Sequence, residues 1–157
     1  MVYNSRLKRN DLIFITELPM KDVLIAIKGM QELDGTSAGD ELVTPGLYTH
    51  NNGITKFTYM ESELTGMEGT KTTFEIQKSF VTLTRIGTVN SQMVFETGRK
   101  HFFMYDTPFG AMTMGVSTSS ISSKMDEHGG DLEIRCMIDM ENSLVSRNVF
   151  KINVREA

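Results

Sequence analysis

The sequence predicts an all-β fold, a single antiparallel up-and-down β-barrel. Three observations carry that prediction. Short segments alternate apolar and polar residues over most of the chain, glycine-bearing turns join them at regular spacing, and no helical period intervenes. The stretch from Leu64 to Gly115 shows all three most densely. Successive hairpins favour a meander that closes on itself, because closure removes exposed strand edges.

Taken in order, the elements are these. Residues 1–19 are basic, then apolar, and end at Leu18-Pro19; they read as an N-terminal extension outside the barrel domain, with Met20 a candidate natural start. A helix over Arg9–Glu17 is the weakest element of the reading. Val23, Ile25 and Ile27 place β-branched side chains on one face of a first strand. Asp34–Asp40 has the composition of a flexible loop. A short strand over Leu47–His50 meets the turn signal Asn51-Asn52-Gly53, whose residues tolerate positive φ. Ile54–Glu63 alternates, with Phe57, Tyr59 and Glu61 on one face, and Thr65–Gly69 turns. Thr70–Gln77 and Phe80–Ile86 form a hairpin across Lys78-Ser79, and Val89–Glu96 and Lys100–Tyr105 form another across Thr97-Gly98-Arg99. Pro108-Phe109-Gly110 turns into Ala111–Thr118. Ser117–Ser123 is an edge strand or a loop, and Glu127–Asp131 is a turn. Leu132, Ile134, Cys136 and Ile138 share a face, as do Phe150, Ile152 and Val154, with Glu141–Asn148 a polar connection between them. That makes nine or ten strands over residues 20–157.

A chain of 157 residues suits one domain, and its core needs no metal or disulfide. The net charge of -4 and pI near 5.4 argue against nucleic-acid binding, since phosphate contacts need a segregated basic patch. The one dense basic cluster is Arg6–Arg9. No apolar run approaches the roughly 20 residues that span a bilayer, and Leu12–Ile15 is too short for a signal segment. Cys136 is the sole cysteine, so no intramolecular disulfide forms, which suits a cytoplasmic protein. Twelve methionines and no tryptophan point to adaptable core filling.

Several motifs carry a resemblance. They are Thr44-Pro45-Gly46, Tyr59–Glu63, Leu64–Thr72, Arg85–Phe95 and Tyr105–Gly110. From Met20 onward the chain resembles the YwiB-like family of uncharacterised bacterial proteins. The resemblance implies a calycin-like barrel, similar in shape to lipocalins and fatty-acid-binding proteins, and brings no established activity, cofactor or catalytic residue.

Arg85 is the leading candidate for function. It follows Val81 and Leu83 at strand spacing, so all three share a face, and a buried guanidinium needs a partner. Glu61 holds the equivalent place after Phe57 and Tyr59. A guanidinium in a barrel mouth receives a carboxylate or phosphate as a fork; the competing reading is a structural ion pair. Ser91 shares a face with Val89, Met93 and Phe95. The expected lining residues are therefore Tyr59, Glu61, Arg85, Ser91, Met93 and Tyr105.

Other groupings point to structure rather than chemistry. Glu61, Glu63 and Glu68 invite a glycosidase reading, but one segment supplies all three and no aromatic sugar platform accompanies them. His50, His101 and His128 lie on separate segments without metal-ligand spacing, and Asp126-Glu127-His128 with Asp131 lacks calcium-loop spacing. Gly66–Gly69 has no lysine and no following helix, so it is a turn and not a phosphate loop. Cys136 sits on an apolar face as a core thiol. No metal or cofactor is expected.

Two functions follow. The first is non-catalytic binding of a small acidic or amphipathic molecule in the barrel mouth. The second is a protein-interaction or structural module whose barrel is filled by side chains. A lumen of roughly 300–1,000 Å³ favours the first, and a filled lumen the second.

Overall fold

Each apolar alternation in the sequence becomes a strand with one buried face. The computed structural model describes residues 20–141 and 143–157, so the N-terminal extension and the Arg9–Glu17 helix lie outside the described residues. The strands are β1 (Lys21–Leu33), β2 (Thr36–Asn51), β3 (Ile54–Met60), β4 (Lys71–Ile76), β5 (Val81–Ile86), β6 (Ser91–Phe95), β7 (Lys100–Thr107), β8 (Gly110–Asp126), β9 (Gly129–Met140) and β10 (Ser143–Glu156). All their ladders are antiparallel, and the order is β6-β5-β4-β3-β2-β1-β10-β9-β8-β7. The sheet curls into a nearly closed barrel. The first and last strands pair from Val23↔Glu156 to Glu32↔Arg147, so the ends of the domain complete the wall.

The barrel's open line falls between β6 and β7, in the middle of the sequence. Asn90 and Asp106 exchange two backbone hydrogen bonds of 2.9 Å at one end of it. At the other, Gly98 donates to the Thr118 carbonyl at 2.9 Å and Thr118 donates to Arg99 at 3.3 Å. The hairpin expected across Thr97-Gly98-Arg99 is therefore corrected: the turn is present, but no ladder joins the two strands.

Two other expectations are corrected. Asp34–Asp40 is not a loop; only Asp34-Gly35 turns, and Thr36 onward is strand. Glu141–Asn148 is not a connection, because β10 begins at Ser143. Ser117–Ser123 is the edge strand of the two alternatives: it lies inside β8, with a bulge between Thr118 and Ser120, and from Ser120 onward pairs with β9 alone. The two corrected segments lie toward the far ends of long hairpins, where strand residues lack a sustained apolar face. Beyond β3, the residues Thr36–Gly46 of β2 pair with β1 on one side alone. Asp40, Glu41 and Pro45 sit along that edge and discourage further strand pairing.

Large side chains fill the interior. Tyr48, Phe57 and Phe95 are wholly buried, joined by Ile25, Leu132, Ile134 and Ile152. Phe57 and Phe74 stack at 5.0 Å between centroids, and Phe95 meets Phe150 edge-on at 6.3 Å. The Tyr48 hydroxyl donates to the Asp126 carbonyl at 2.6 Å. Four hollows of about 410, 420, 440 and 500 Å³ lie mainly on outer sheet surfaces.

Cys136 is buried in this core, and burial pushes its thiol up to about 12. A thiol whose pKa rises on folding stays protonated where the unfolded chain has ionised. Its contribution is whole below the unfolded value of about 8.5 and is lost as pH climbs through the folded one. Urea midpoints should therefore fall between pH 8 and pH 10.5, and fall less in Cys136→Ala. Native labelling of the thiol at pH 8 should be far slower than labelling in urea; fast native labelling would place the thiol at the surface.

Candidate functional site

Strand register assembles the polar residues. Tyr59 lies opposite Thr72, Thr72 opposite Arg85, and Arg85 opposite Ser91, so β3, β4, β5 and β6 present one row to the interior. The Asn90–Asp106 bridge continues the row across the open line, because its next position sets Ser91 opposite Tyr105. Glu61 follows the end of β3 and is buried, its backbone N–H donating to the Thr70 carbonyl at 2.8 Å.

A plug of two turns covers this end of the barrel. Ser62 caps a 3₁₀ turn over Glu63–Thr65, and Gly66 ends it in the left-handed region at φ 76°. Thr88 Oγ1 donates to the Glu68 carbonyl at 2.8 Å, and the Val89 N–H donates to Thr70 Oγ1 at 3.1 Å. Asn90 braces the second turn by accepting from the Gly87 N–H at 3.0 Å and donating to the Gly87 carbonyl at 2.8 Å. The Leu64–Thr72 and Arg85–Phe95 motifs thus contain the two bonded turns and the strand residues that hold them.

Glu61 is satisfied mainly by hydroxyl groups. Thr65 Oγ1 donates to its Oε1 at 2.9 Å and Thr72 Oγ1 to its Oε2 at 2.5 Å. Arg85 Nε stands 3.9 Å from Oε2, close enough for charge attraction but too far for a hydrogen bond. The Arg85 side chain is 19% exposed and that of Glu61 1%. Arg85 Nε and Ser91 Oγ are both buried without a hydrogen-bond partner. Burial, with the Glu61 carboxylate next in weight, pushes the Tyr59 phenol well above its ordinary range, so it stays a neutral hydroxyl.

The structure brings Tyr59, Glu61, Arg85 and Ser91 together and sets Tyr105, half-buried, across the open line from Ser91. Met93 is buried one step deeper, opposite Leu83. Sequence reasoning misses Thr65, Thr70 and Thr72, because threonine is ordinary in strands and carries no local signal of its partner.

The remaining groupings do not assemble. Glu63 and Glu68 are exposed on the plug, so no second buried carboxylate faces Glu61 among the described residues. His50 meets Thr55 at 2.7 Å, His101 meets Glu96 at 2.9 Å, and His128 lies with Glu127 and Glu156 on the surface. Among the described residues no cluster of three metal-ligating side chains occurs, and no helix is long and apolar enough to cross a membrane.

Known proteins share this architecture. An uncharacterised β-barrel protein of Bacillus subtilis (strain 168), YwiB, is 29% identical over 112 residues, covering 71% of this chain and 78% of that protein. The crystal structure of the ywiB protein from Bacillus subtilis superposes with a TM-score of 0.80 at 23% identity, over 88% of this chain and 93% of that one, which shows the shared fold. Residues 25–152 match the family described as Domain of unknown function (DUF1934), and the chain belongs to that family.

Proposed function

We propose that the protein is a non-catalytic, cytoplasmic barrel of the calycin kind that binds a small acidic molecule through Arg85 and Ser91. The observation that carries this reading is the pair of buried donors without a hydrogen-bond acceptor, Arg85 Nε and Ser91 Oγ, on directly opposed residues. Buried polar groups normally have partners, so two adjacent donors without one mark a place for an acceptor. A carboxylate fits best. Its two oxygens meet the Nε edge of a guanidinium as a fork, and its single charge is repelled less than a phosphate's two by Glu61, 3.9 Å from Nε.

A second reading has its own support. The barrel axis is occupied by aromatic side chains and the hollows lie mainly outside, as expected for an interaction module. The two readings part at the Arg85 Nε–Hε resonance. Sodium acetate and sodium butyrate should shift it saturably, sodium chloride should not, and phosphate should act more weakly. No saturable shift with either carboxylate would leave the interaction module as the better account.

A further inference from the structure

We infer that the line between β6 and β7 is a gate, opened by release of the Asn90–Asp106 bridge, through which a carboxylate reaches Arg85 Nε and Ser91 Oγ. The inference rests on the proposed binding role but has a readout of its own. The Arg85 side chain is partly exposed, whereas Nε and Ser91 Oγ are buried. The plug closes the end of the barrel above them through its own hydrogen bonds. On the side, the wall ends at β6, and Ser91 is its first strand residue. Beyond it stands β7, attached at this end by two backbone hydrogen bonds and facing Ser91 with Tyr105.

Every other neighbouring pair in the sheet is held by a ladder of at least five residue pairs, ten for β1 against β10. Opening at Asn90–Asp106 therefore breaks the fewest hydrogen bonds of any route to the two donors. The Asn90 side chain is tied to Gly87 and so stays with the plug, which makes β7 the moving wall.

Amide exchange tests the gate without a ligand. The Asn90 and Asp106 amides should exchange about 100-fold faster than those of Ile25 and Val154 in the β1–β10 ladder, because sub-global opening releases them alone. Equal protection overturns the gate. The exposed residues Gln92 and Met104 face each other if the bridge register is continued. A Gln92→Cys/Met104→Cys protein in a Cys136→Ala background, once oxidised, should slow both amides about tenfold, with reduction restoring them. It should also lose the Arg85 Nε–Hε response to butyrate. Unchanged exchange on oxidation overturns the gate. A retained butyrate response in the oxidised form overturns the route while leaving the binding role intact. If neither form responds to butyrate but exchange behaves as expected, the gate stands and the binding role fails.

Discussion

Gly87→Ala is expected to cost at least about 3 kcal/mol, a steep loss for a substitution that adds a single methyl group. Gly87 sits at φ 143°, a conformation that side-chain-bearing residues rarely adopt. A Cβ there would overlap the Gly69 carbonyl oxygen and lie 2.8 Å from the Thr70 Cα. Both are backbone atoms, so no rotamer change relieves the clash, and the two turns of the plug must separate. Thr70, which accepts from the Val89 N–H, would move with them, and with it the hydrogen bond from the Glu61 N–H. Urea denaturation measures the loss. The companion change Gly98→Ala has open space around its Cβ and only the cost of φ 79°, so it should be milder by about 1–2 kcal/mol. Equal losses would show that space between the turns is not the constraint.

The second large effect is an asymmetry between the members of the buried pair. Glu61→Ala should cost about 3 kcal/mol, since it removes the acceptor of two threonine hydroxyls and leaves Arg85 without its countercharge. Arg85→Met should cost less, about 2 kcal/mol, because Glu61, though it loses its countercharge, keeps both hydroxyl partners and loses no direct hydrogen bond. The same Arg85→Met protein should lose every response to carboxylates. The double variant should be less destabilised than the sum of the two, since the methionine side chain needs no countercharge. Equal costs for the single variants would assign Arg85 a structural role and remove the anchor of the binding proposal.

Glu61 and Arg85 are legible as interior residues because each ends a run of two apolar side chains at strand spacing, Phe57-Tyr59 and Val81-Leu83. Their proximity follows from a register carried through Thr72, which no local pattern announces. The projecting hairpins escape a sequence reading for a related reason. Residues 34–40 and 141–148 lack a sustained apolar face, and the backbone ladders that make them strands leave little trace in composition. The open line is hidden by a turn signal, Thr97-Gly98-Arg99, that is locally sound. Whether the strands flanking such a turn go on to pair is decided by the curvature of the whole sheet.

The pairing of β1 with β10 has a consequence for how the chain is made. Val23 meets Glu156, so β1 leaves the ribosome with one permanent neighbour in β2 and must await β10 for the other. At roughly 5–20 residues per second, that leaves its edge uncovered for several seconds of synthesis. Contacts this distant in sequence also fold slowly, because the loop they close is nearly the whole chain. The nascent protein therefore carries an unpaired β1 edge until β10 is made, an interval in which that edge is open to mispairing.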